Sequence, residues 1–135
     1  MKHLNIICST LIISTIILLS SCTKPQDEII GTWTYHNFEV PNSPHTTWTF
    51  TVDGDMIRIM ETENAIHYDS CKFEIFTSLF RKEMVIEGSR MLPGQADLSG
   101  TYAIEKFRND VLIMTRIRLE DDETAGAYLR VEFTR

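Results

Sequence analysis

The chain has 135 residues, 13 Lys and Arg against 19 Asp and Glu, a net charge of −6 and 43% hydrophobic residues. That length supports one core, and the acidic balance argues against nucleic acid, which wants a basic face. The chain opens with the basic start Met1-Lys2-His3, then Leu4 to Leu19 without a charge, then Ser20 and Ser21. This is the three-part layout of a secretory signal peptide. Ser14 and Thr15 interrupt the apolar run, which leaves it short of the about 20 apolar residues a spanning helix needs.

Leu19-Ser20-Ser21-Cys22 resembles the lipobox of bacterial lipoproteins. The resemblance implies cleavage before Cys22 and acylation of that cysteine with palmitate-type chains, hence a membrane anchor. Two or more acyl chains hold a protein stably, whereas one binds reversibly. Thr23, where an Asp would stand for inner-membrane retention, resembles the outer-membrane class of Gram-negative lipoproteins, with surface exposure as one outcome. The division is therefore a signal peptide over 1–21, a polar tether over 22–28 and a folded domain over 29–135. Cys8 leaves with the signal and Cys22 is spent on lipid, so Cys71 stands alone and no intrachain disulfide is expected.

Beyond the tether the pattern alternates with period 2. Strands are expected over Ile30–Phe38, Thr46–Val52, Met56–Glu61, His67–Thr77, Glu83–Glu87, Gly100–Arg108, Val111–Leu119 and Ala127–Thr134. Asp53-Gly54 and Asn109-Asp110 are tight-turn signals. No segment holds a 3.6-residue apolar period, so little helix is expected. Eight short strands with local connections predict an all-β, eight-stranded antiparallel up-and-down barrel, because closure removes the sheet edges. A β-sandwich is the alternative. The inward set reads as Trp48, Phe50, Ile57, Ile59, Phe73, Ile75, Tyr102, Ile104, Val111, Ile113 and Phe133. In the up-and-down order the links at Asp53 to Asp55, near Arg81 and at Asn109-Asp110 share one tight end with the chain's entry. The four other links form a rim at the opposite end, pointing away from the membrane.

Gly31-Thr32-Trp33 at the first strand resembles the Gly-x-Trp opening of lipocalins. Phe50-x-x-Asp53-Gly54 and Gly100-Thr101-Tyr102 look like recurring features of the small lipocalin-like domains of bacterial lipoproteins. The resemblance spans about Ile29 to Arg135 by strand count. It implies that Trp33 closes the barrel base under an Arg near the last strand, for which Arg130 and Arg135 are the candidates.

An eight-stranded barrel is either filled by its own side chains or holds one small ligand. In the first case it is an interaction or inhibitor module, whose rim loops meet another envelope protein, with Glu120-Asp121-Asp122-Glu123 facing a basic partner. In the second, Trp48, Phe50, Ile59, Phe73, Tyr102 and Ile113 line a cup for a small apolar molecule. No enzymatic activity, metal or cofactor is expected. His67 lies ~13 Å from Cys71 along a strand, too far for a nucleophile and base. His67 and Asp69 share a strand face but show no recognised metal-ligand spacing, and no phosphate loop or nucleophile elbow is present.

Overall fold

The structure, a computed structural model, describes residues 25–36, 42–121 and 129–135. A one-turn helix α1 (Pro25–Ile29) leads into β1 (Gly31–His36), β2 (His45–Phe50), β3 (Asp55–Glu61), β4 (Ile66–Thr77), β5 (Lys82–Glu87), β6 (Gly100–Arg108), β7 (Val111–Arg118) and β8 (Arg130–Thr134). Consecutive strands pair antiparallel, and β8 returns to β1 to close the barrel. The sheet therefore has no free edge, and the sandwich alternative falls away. The expected strands recur with ends shifted by a few residues. Residues 22–24, 37–41 and 122–128 lie outside the described residues, as do the signal segment 1–21 and Cys22.

The tether expected up to Glu28 is partly helix instead. Ile29 at its end is wholly buried in the core, and burying one large apolar side chain is enough to fix a short helix that its length alone would not hold.

Cross-strand partners share a face of the sheet, so register decides what enters the core. Trp48 and Phe50 point inward, and their partners on β3 are Arg58 and Met56. This corrects the expected face of β3. Met56, Arg58 and Met60 are inside, while Ile57 and Ile59 pack half-buried beside Thr49 and Thr47 on the outer surface. The same logic corrects β7. Phe133 and Val131 are inward, so their partners Leu112 and Met114 are inward too, and Val111 and Ile113 face out. Both strands are apolar on both faces, so composition could not choose between them. Val52, expected to end the second strand, lies in the 51–54 turn instead and is 78% exposed. On β6 a register shift between Ile104 and Lys106 lets Phe107 turn inward after Tyr102 and Ile104, where it packs on Trp33 at 6.3 Å. Gly100 opens that strand with φ +137°, and a Cβ there would sit 2.3 Å from the Arg118 carbonyl oxygen. No side chain fits so close an approach.

The connections 51–54, 78–81 and 109–110 lie at the end where the chain enters β1. The opposite end carries 37–44, 62–65, 88–99 and 119–129. All the longest connections share that rim, although 62–65 is as short as the turns opposite.

At the tight end Trp33 is wholly buried and its Nε1 donates to the Ile29 carbonyl at 2.8 Å. The Arg135 guanidinium lies over the ring, 4.2 Å from its centroid. Arg135 Nη2 also sits 3.2, 3.1 and 2.5 Å from the carbonyl oxygens of Glu28, Ile29 and Ile30, so it caps the C-terminus of α1. Gly31 makes room for it: at φ +126°, a Cβ would meet Arg135 Nη2 at 3.3 Å. Arg130, the other candidate, is elsewhere; it pairs with Glu105 and Glu132 on the outer surface. Arg135→Ala should therefore lower stability by about 1–3 kcal/mol, the sum of a cation–π contact and charge-assisted capping bonds. Arg130→Ala should cost no more than about 1 kcal/mol. Urea midpoints of the two variants check this, and equal midpoints would refute it.

Candidate functional site: the covered mouth of the barrel

The interior is occupied by aromatic side chains. Trp48 meets Phe133 edge-on at 4.5 Å, and Phe50 meets Phe73 at 4.9 Å. Tyr35 packs on Trp48 and Phe133. Met56, Met84, Ile86, Leu112, Met114 and Val131 complete the filling. Of the six residues expected to line a cup, Trp48, Phe50, Phe73 and Tyr102 are brought together inside. Ile59 and Ile113 are not; they belong to the outer faces of β3 and β7.

Above this packing sits a polar group that strand alternation did not reveal. Arg58 on β3 and Asp69 on β4 are cross-strand partners with no exposed side-chain surface, and Arg58 Nη2 donates to Asp69 Oδ2 at 3.0 Å. Two buried charges need further bonds to offset their desolvation. The 88–99 segment supplies them. Asp69 accepts from Ser89 Oγ at 2.9 Å and from the Arg90 backbone N–H at 3.1 Å. Arg58 donates to the Arg90 carbonyl at 2.5 Å and to Gln95 Oε1 at 3.3 Å. Gln95 Nε2 in turn donates to buried Thr46 at the start of β2. Leu92 and Leu98 are buried, and the Leu98 carbonyl accepts from the Tyr102 hydroxyl at 2.7 Å. The longest fully described rim connection thus folds down as a cover seated on a buried ion pair. Burial pushes the Arg58 pKa down against the opposing pull of Asp69, and burial drives the Tyr102 phenol upward.

The signal for this pair was present in the sequence. A lone Arg between Ile57 and Ile59 reads as the solvent face of an amphipathic strand, and only the hairpin register with Trp48 turns it inward. Asp69 is the legible half of the pair, because it alternates in line with Cys71 and Phe73.

Beside the cover, Ala96, Asp97, Ser99, Arg116, Leu119, Glu120 and Asp121 line a rim depression of about 500 Å³. Arg116, one of the lining residues, donates to the Asp97 carbonyl at 2.8 Å. The Asp97 carboxylate accepts from the Ser99 N–H at 2.8 Å and fixes the turn. The acidic stretch recognised in the sequence at Glu120 and Asp121 therefore gains Asp97 from a distant segment. Asp122 and Glu123 lie outside the described residues.

Cys71 is buried, its Sγ 3.7 Å from the Met56 carbonyl. Burial, with the Asp69 charge adding to it, pushes its thiol up to about 12, so at neutral pH it is a protonated packing group rather than a nucleophile. The described residues contain no group of three or more His, Cys, Asp or Glu side chains placed to hold a metal ion, and the Asp69 carboxylate is committed to Arg58, Ser89 and Arg90. No protein-family model and no curated protein matches the chain.

Asp69→Asn should destabilise the fold by about 3–5 kcal/mol, because it strands the Arg58 charge in the interior. The double variant Arg58→Met/Asp69→Leu should recover most of that loss while raising amide exchange in 88–99, whose anchors are gone. Denaturation and hydrogen exchange read both effects. A double variant as unstable as the single one would show that the pair is not what seats the cover.

Proposed function

We propose that this protein is a lipid-anchored envelope protein with a lipocalin-like barrel that serves as a rigid interaction platform. The anchor rests on Leu19-Ser20-Ser21-Cys22. The lipocalin likeness rests on the Gly31-x-Trp33 opening, on the closed eight-stranded barrel and on Arg135 over Trp33. The single observation that carries the platform reading is the interior: it is packed with aromatic and methionine side chains and covered by 88–99 bonded to Arg58 and Asp69. A filled barrel offers its surface, and the rim is where its long connections gather. The Asp97, Glu120 and Asp121 depression suits a basic surface on another envelope protein, and such rim charges act through encounter rate and salt dependence. A photo-crosslinking residue at Leu119 should capture one partner in intact cells. Asp97→Asn/Glu120→Gln/Asp121→Asn should reduce that capture several-fold, most strongly at low salt. Capture indifferent to these charges would refute the reading.

A second reading, a small apolar ligand bearing an acidic head, is favoured by one observation. Trp48 Nε1 and Arg58 Nε are buried donors with no hydrogen-bond partner among the described residues, and the two residues are cross-strand neighbours on the inner face. A ligand carboxylate there would satisfy both donors, which otherwise carry a desolvation cost. Entry requires the 88–99 cover to lift. Saturable titration with a fluorescent fatty acid, abolished by Arg58→Met, would support it; a flat titration would remove it.

A further inference from the structure

The end of the barrel where the chain enters carries large apolar side chains in open solvent. In the 78–81 turn, Ser78 N–H donates to the Arg81 carbonyl at 2.9 Å, and the Ser78 hydroxyl accepts from the Arg81 N–H at 3.1 Å. These bonds make a firm hairpin tip of Leu79 and Phe80, which are 95% and 97% exposed. Ser, Asn or Gly would serve such a turn without exposing apolar surface. On the same end, Phe76, three residues before Leu79, and Val52 of the 51–54 turn are 49% and 78% exposed. Phe76 and Val52 line one depression of about 520 Å³ together with Gln26 of α1. Exposed apolar side chains on this end therefore adjoin α1, where the described chain enters the barrel. Contiguous exposed apolar surface marks a contact site, and at a tethered end the surface in reach is the one that holds the tether.

We infer that Leu79 and Phe80, flanked by Phe76 and Val52, insert into the lipid bilayer and set the barrel upright on it. This rests on the reading of Cys22 as the lipid anchor. Three residue steps from Cys22 to Pro25 can reach at most about 10 Å, so an anchor at Cys22 would hold this end of the barrel close to the bilayer. Tethering makes insertion intramolecular, and a tip too weak to bind alone then binds. The chemistry is apolar rather than electrostatic. Of the cations at this end, Arg81 pairs with Glu83 at 2.5 Å, Lys72 with Asp55 at 2.5 Å, and Lys82 lies over the Phe107 ring, 5.7 Å from its centroid. Asp53, Glu74 and Glu87 line the same depression as Lys72. The depression holds more acid than base, so insertion is expected on zwitterionic lipid. No helix among the described residues is long and apolar enough to cross a membrane, and the tip needs only to reach the acyl boundary. With the tip inserted, the rim and its acidic depression face away from the membrane.

The test uses the full chain, lipidated in cells and reconstituted in phosphatidylcholine vesicles. Phe80→Cys and, at the opposite end, Asn64→Cys each receive a polarity-sensitive fluorophore; Cys71 is buried and does not compete for label. Brominated acyl chains should quench the Phe80 label and leave the Asn64 label unaffected. A label at Val52→Cys should show the same quenching and lose at least half of it in Leu79→Ser/Phe80→Ser, whose near-complete exposure leaves the fold untouched. Exchanging a third of the lipid for phosphatidylglycerol should change nothing. If the protein floats with vesicles but the Phe80 and Val52 labels stay open to aqueous iodide, the inference fails and the anchor stands. If wild type and Cys22→Ala both fail to float, the anchor reading fails and takes the inference with it. Labels shielded without quenching by brominated lipid, and released on dilution in detergent, would assign the patch to a second copy of the chain and overturn the inference.

Discussion

Closure of the sheet is the constraint on which the rest depends. Among the described residues the seam between β1 and β8 is short, with Thr34, Tyr35 and His36 in register with Thr134, Phe133 and Glu132. An eight-stranded barrel is just wide enough for its own side chains, so a short seam holds only if the ends of the barrel are secured separately. At the tight end Trp33 fills the base, and Arg135, one residue beyond β8, covers it while bonding back to the carbonyls that end α1. The first and last elements of the domain are thus joined twice, by a ladder and by a stacked cation. Gly31 serves this geometry, since a Cβ there would meet Arg135 Nη2 at 3.3 Å.

The other end is secured by different physics. A connection crossing the mouth would leave backbone groups without partners, and here a buried charge pair supplies them. Asp69 accepts from the backbone and side chain of 88–99, and Arg58 donates to it. The cost of burying the two charges is offset only because both are bonded to the same segment. This makes the cover and the pair one unit.

The barrel consequently has two unlike ends. One carries the acidic depression on long connections, with Ile66 and Met91 also exposed there, and the other carries the apolar hairpin tip of Leu79 and Phe80. A domain that floated freely would gain nothing from exposing Leu79 and Phe80, since two adjacent large apolar residues on a turn invite association.

What the sequence determined by itself were the properties that local chemistry controls. Alternation in β2 and β8, the turn at Asp53-Gly54, the strand opened by Gly100 and the acidic stretch at Glu120 all follow from short-range periodicity and turn stereochemistry. Eight such strands with local links then leave few ways to hide the edges, so the barrel was legible too. What only the tertiary structure decided was which face of a two-sided strand enters the core. In β3 and β7 both faces are apolar, and pairing to Trp48 and Phe133 sent Met56, Arg58, Leu112 and Met114 inward while Ile59 and Ile113 stayed out. The pairing of Arg58 with Asp69, the seating of 88–99 and the choice of Arg135 over Arg130 were equally beyond local pattern. Each depends on register or distance between residues far apart in the chain, and a shift of one residue in register exchanges the two faces of a strand without altering its sequence.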